Sequence, residues 1–168
     1  PARIADVAVR DGRVAGIGAP GSFDADGATT RIDALGRVVA PGFVDPHTHY
    51  DAQLLWDPAA TPSSLHGVTT VIGGNCGFTL APLAPGDADF LRRMMARVEG
   101  MPLEALEQGI AWDWQGFDEF LDRFEGNIGV NAGFLVGHSA IRRLVMGADA
   151  TVRDATVDEI DAMEHALR

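Results

Sequence analysis

The stretch Val38-Val39-Ala40-Pro41-Gly42-Phe43-Val44-Asp45-Pro46-His47-Thr48-His49-Tyr50 decides how this chain is read. A Pro-Gly turn releases a short apolar strand, predicted over residues 43–47, that ends in His-x-His. Successive side chains on a strand point to opposite faces, so His47 and His49 share a side while Thr48 takes the other. Two imidazoles spaced in this way can grip one divalent cation, and imidazole nitrogen suits zinc. By itself the pattern also fits two surface histidines in a loop. An apolar strand that delivers polar residues at its carboxyl end is the way barrel enzymes present catalytic groups.

The next such strand points to a third donor. Residues 68–72 form a β-branched run without polar alternation, as expected for a strand covered on both faces, and it leads into Gly73-Gly74-Asn75-Cys76-Gly77. If the two strands are neighbours, the Cys76 thiolate would sit beside His47 and His49, where it is a strong zinc ligand. The other readings of a lone cysteine are a small buried residue or a nucleophile.

Further along, residues 87–98 carry Phe90, Leu91, Met94, Met95 and Val98 on one helical face, with Asp87 or Asp89 as cap and Gly100 as stop. Pro102 suits the first position of a shorter helix through Gln108. Phe117, Phe120, Leu121 and Phe124 follow helical spacing over residues 116–125. A third apolar strand, 128–136, delivers His138, and Ser139 is a candidate cap for a helix through Met146. Thr156-Val157-Asp158-Glu159 is a capping box ahead of Ile160, Met163 and Leu167. Alternating strands and helices predict an α/β fold with a parallel sheet over residues 41–168. Ahead of it, residues 4–10 and 13–17 read as a hairpin turning at Asp11-Gly12. Residues 18–29 read as loop, and 30–33 and 37–40 as two more short strands.

Composition narrows the class. The chain has 168 residues with 46% hydrophobic and 22% charged, values of a soluble globular protein. A formal charge of −11 argues against nucleic-acid and anionic-membrane partners. All 13 basic residues are arginine, and lysine is absent. One cysteine allows no internal disulfide and fits a reducing, cytoplasmic setting. No apolar run approaches the ~18 residues of a membrane span.

Pro-Gly-Phe-Val-Asp-Pro-His-Thr-His resembles the first-strand signature of the amidohydrolase superfamily, metal-dependent hydrolases built on a (β/α)8 barrel. Tyr50-Asp51-Ala52-Gln53-Leu54-Leu55-Trp56-Asp57-Pro58, His66 through Phe78 and Gly137-His138-Ser139-Ala140-Ile141-Arg142-Arg143 are similar to the D-aminoacylase branch. The resemblance implies that residues 1–40 are the N-terminal portion of a β-sandwich and 41–168 the first three β/α units of the barrel. A complete barrel needs roughly 250 residues, so the chain is expected to be an N-terminal fragment. It further implies zinc, one ion or two, held by His47, His49 and Cys76, and hydrolysis of small N-acylated D-amino acids. The remaining ligands and the proton-shuttling aspartate are expected downstream, so no catalytic residue is assigned within the segment. His138 and Asp45 are candidates for orienting ligands or touching substrate, and Arg142 for pairing with a substrate carboxylate. For His138 a hydrogen-bonded core histidine is the alternative, for Asp45 a turn cap and for Arg142 a solvated face. Asp51 reads as a helix start. A cyclic amidase related to dihydroorotase or hydantoinase, and a non-catalytic metal-binding scaffold, are the competing functions. The oligomeric state is not readable from the residues.

Overall fold

A computed structural model of the chain describes residues 2–24 and 26–168. Pro1 and Ala25, which fall in the expected sandwich portion and its loop, lie outside the described residues. The chain divides into two compact units, Pro1–Ala40 and Pro41–Arg168.

The first unit is built on an antiparallel hairpin of β1 (Asp6–Arg10) and β2 (Arg13–Gly18). Its two-residue turn requires left-handed backbone at both positions, and Asp11 (φ 52°) and Gly12 (φ 71°) provide it. The two further strands expected at 30–33 and 37–40 do not form. That stretch holds a turn, in which Arg37 N–H donates to the Ala34 carbonyl at 2.9 Å, and Ile32 and Val38 are 84% and 87% exposed. A strand needs a neighbour with which to exchange hydrogen bonds, and among the described residues none pairs with these segments.

The second unit holds three parallel strands, β3 (Phe43–Thr48), β4 (Val68–Gly73) and β5 (Asn131–Phe134), in that spatial order. Between β3 and β4 lie two short helices, α1 (Tyr50–Gln53) and α2 (Thr61–Ser64). The crossover from β4 to β5 carries α3 (Ala88–Glu99), α4 (Leu103–Gly109) and α5 (Phe117–Asp122). After β5 come α6 (His138–Met146), a 3-10 turn (Gly147–Thr151) and α7 (Val157–Ala166).

Several helix ends differ in detail from the expectation. Asp87 occupies the cap position of α3, but its carboxylate accepts from Arg143 on α6 at 2.7 and 2.8 Å instead of closing the helix. A two-pronged charge-assisted contact outcompetes a neutral cap. Ser139 falls inside α6, where its hydroxyl donates to the Gly77 carbonyl at 2.7 Å. On α7 the capping box forms as read, with Thr156 Oγ1 accepting from Glu159 N–H and Glu159 Oε2 accepting from Thr156 N–H. Of its expected apolar stripe only Met163 is buried; Ile160 and Leu167 are exposed.

Aromatic side chains from the second crossover fill the core. Phe120 touches Trp114, Phe117, Phe124 and Phe134 with ring centroids 5.0–6.0 Å apart. The Trp114 indole N–H, buried with it, donates to the Leu80 carbonyl at 3.0 Å. This packing carries α5 against β5 and sets the sheet on which the polar strand ends are mounted. Phe120→Ala should therefore destabilise the protein by about 3–5 kcal/mol, whereas Leu121→Ala on the exposed side of α5 should stay below about 1 kcal/mol. Urea unfolding of both variants measures the difference.

Candidate metal centre

At the carboxyl end of β3 the pleat separates three neighbours. Thr48 turns inward and is buried, and its hydroxyl donates to the Ile72 carbonyl on β4 at 3.0 Å. His47 and His49 are left on the same side, with ring centroids 5.3 Å apart. In the parallel register Thr48 stands opposite Gly73, so the turns leaving β3 and β4 emerge side by side. Asn75 ties them together, its amide N–H donating to the Pro46 carbonyl at 3.1 Å. Gly74, which precedes it, has φ 80°, and a β-carbon there would collide with the Leu135 carbonyl. Only glycine meets both conditions.

The turn delivers Cys76 to the histidines. Its Sγ lies 3.8 Å from Nδ1 of His49 and accepts from Phe78 N–H at 3.4 Å. One ligand atom each from His47, His49 and Cys76 falls within 4.8 Å of the others. Four ligands at tetrahedral zinc distances stand roughly 3.3–3.8 Å from each other. The widest spacing among the three ligand atoms needs about 1 Å of side-chain adjustment to reach that range. Two imidazoles and a thiol are a borderline-soft donor set of the kind zinc takes.

Two buried acidic residues add to this corner: Asp51, read from the sequence as a helix start, and Glu99, to which the sequence reading gave no role. Asp51, in the first turn of α1 as read, is 1% exposed, and neither carboxylate oxygen has a hydrogen-bond donor. Burial pushes its pKa up to about 7, and the charge on Glu99 adds to the shift. Glu99, the last residue of α3, has a side chain only 8% exposed, with Oε1 at 2.8 Å from His49 Nδ1. That approach is off the N–H axis, so Oε1 is also left without a donor. Buried carboxylate oxygens with no donor mark a deficit of positive charge, and a cation held by His47, His49 and Cys76 would offset it. The residues present therefore fit a metal ion. One signal for Glu99 was available in the sequence. An acidic residue in the last helical turn opposes the helix dipole and calls for another reason to be there.

The other candidates lie apart from the cluster. Asp45 Oδ1 accepts from His47 N–H at 3.2 Å, so it caps the turn and steadies the backbone of His47, not its ring. His138 begins α6 at the carboxyl end of β5 and is exposed. Arg142, considered as a partner for a substrate carboxylate, is engaged by backbone. Its guanidinium donates to the Ala150 carbonyl at 2.9 and 3.1 Å and to the Arg153 carbonyl at 3.0 Å. Three donor contacts to carbonyls make it a brace between α6 and the segment that follows.

Comparison with known proteins places this geometry in a family. The sequence profile described as "Amidohydrolase family" matches residues 30–168. The chain belongs to the amidohydrolase family. It is 42% identical over 164 residues to the D-aminoacylase of Alcaligenes xylosoxydans xylosoxydans, covering 97% of this chain and 31% of that protein. Among solved structures, a D-aminoacylase studied for its binuclear metal centre superposes with a TM-score of 0.77 at 40% identity, over 99% of this chain and 32% of that one. The N-acyl-D-glutamate deacylase of Bordetella bronchiseptica, solved with zinc and a phosphonate inhibitor, matches with a TM-score of 0.77 at 32% identity, over 99% and 32% of the two chains. This amidohydrolase chain shares their α/β fold and spans about a third of their length.

Cys76 is the sole cysteine, so thiol labelling reads the turn after β4 directly. Asn75→Ala, which cuts the tie to Pro46, should raise the labelling rate of Cys76 several-fold while leaving the circular-dichroism spectrum unchanged. An unaltered rate would mean that Asn75 does not hold the turn.

Proposed function

We propose that this chain contributes part of the metal site of a zinc-dependent enzyme that hydrolyses the amide bond of N-acyl-D-amino acids. The observation that carries the reading is the convergence of His47, His49 and Cys76 at the ends of two adjacent parallel strands. In this reading residues 41–168 are the opening β/α units of the (β/α)8 barrel and 1–40 a portion of its flanking β-sandwich. Similarity to D-aminoacylase and to N-acyl-D-glutamate deacylase supports the substrate class.

His47 and His49 would offer neutral imidazole nitrogens and Cys76 a thiolate. A zinc ion held there would supply Lewis acidity and lower the pKa of a bound water. The Phe78 N–H directed at Cys76 Sγ holds the sulfur in place. Asp45 fixes the backbone from which His47 projects, and Thr48 anchors that of His49 to β4. The aspartate that passes the proton to the leaving amine is expected beyond this segment. A cyclic amidase of the dihydroorotase type bridges its metals with a carboxylated lysine, and a chain without lysine offers a cysteine instead.

Cys76→Ala should lower bound zinc per chain, measured by atomic absorption on the full-length protein, and N-acetyl-D-amino acid hydrolysis together. Retention of full zinc and turnover would remove Cys76 from the site. Preference for N-acetyl-L- over N-acetyl-D-amino acids would overturn the substrate assignment.

A further inference from the structure

Among the described residues, Glu99 is the one acidic side chain whose carboxylate meets a histidine ring of the cluster. It belongs to the crossover helix α3, and its side chain is nine-tenths buried with Oε1 2.8 Å from Nδ1 of His49. A glutamate in this place is costly for two reasons. It stands at the helix end where the dipole disfavours negative charge, and Oε1 lacks a hydrogen-bond donor although buried. Asp51, also buried, makes no hydrogen bond to Glu99. The group next to Oε1 that can donate is the imidazole of His49. The contact is out of line with the ring N–H, but the torsion that turns an imidazole is broad and leaves the ring free to turn toward Oε1.

We propose that Glu99 is a positioning residue for His49. Its carboxylate takes the proton-bearing Nδ1 side of the ring, fixes that tautomer and leaves the Nε2 lone pair to face the cation. This inference rests on the reading of His47, His49 and Cys76 as cation ligands and adds to it a partner from a third element of the fold. Metal-binding histidines commonly donate their second ring N–H to a carboxylate, which orients the ring and raises its basicity. Glu99 cannot be replaced in this by Asp45, which is engaged by the His47 backbone. The consequence is structural as well as chemical: the β4–β5 crossover, which makes no strand contact with His49, would help to set the affinity of the site.

The test is made on the full-length protein with zinc itself as the probe. Zinc affinity is measured by competition with a chromophoric chelator for the parent, Glu99→Gln and Glu99→Leu. The tautomer of His49 is read in the zinc-loaded parent from its imidazole nitrogen-15 shifts. The expected result is protonated Nδ1 on His49, a zinc affinity reduced about 10- to 100-fold in Glu99→Leu, and a smaller loss in Glu99→Gln, which keeps an acceptor. Parent affinity in Glu99→Leu, or a proton on Nε2 of His49 in the parent, would overturn the role of Glu99. If Glu99→Leu does not fold, the tautomer in the parent decides alone. Loss of zinc in Cys76→Ala together with parent affinity in Glu99→Leu would sink this inference while sparing the metal site. A parent that takes up no zinc would sink both.

Discussion

The pleat of β3 is the constraint on which the rest depends. Because alternate residues face opposite ways, Thr48 can be buried and bonded to the Ile72 carbonyl only if His47 and His49 stand together on the other side. The parallel register then brings the exit of β4 alongside. Gly74 lets the backbone pass Leu135, and Asn75 fastens the turn to Pro46. The position of Cys76 follows from these steps, which join the carboxyl ends of β3, β4 and β5.

The distribution of buried charge sets this corner of the molecule apart. At the start of α3 a covered charge is compensated. Asp87 and Arg143, both largely buried, meet in a two-pronged ion pair, and the guanidinium also lies over the Phe90 ring at 4.3 Å. That contact holds Arg143 in its charged form and ties α3 to α6. Asp51 and Glu99 have no such compensation: three of their carboxylate oxygens are buried without a donor, and Glu99 lies against the His49 ring. A folded chain tolerates uncompensated buried charge where it serves a bound ion or a reaction. Stability alone would have selected apolar residues at these two positions.

The helices contribute by placement. α3 runs from the Asp87–Arg143 pair to Glu99, so one end is anchored to α6 and the other reaches the histidines. Its middle is held by Leu91 and Met95, buried in the same core as Phe120 and Trp114. The packing of this core decides how close Glu99 comes to His49. The first unit stands in contrast: Val9, Val14, Ile17 and Val38 are exposed, and a two-stranded hairpin has little core of its own.

Much of this was legible in the residues. Periodicity gave the three parallel strands and the helices between them, because amphipathic spacing is a local property. His-x-His after an apolar run and a cysteine in a glycine-rich turn named the cluster, since strand alternation and turn chemistry act over a few residues. Pairing partners and burial are not local, and there the reading failed. The segments at 30–33 and 37–40 looked like strands but found no neighbour, the stripe on α7 is largely exposed, and Arg142 is satisfied by carbonyls eight and eleven residues on. What the chain determined by itself was which side chains can bind a cation and which of them share a face. Only the tertiary structure decided that Asp51 would lie buried without a donor and that Glu99, fifty residues beyond His49, would reach its ring. Burial and long-range approach are properties of packed elements, and no single segment encodes them.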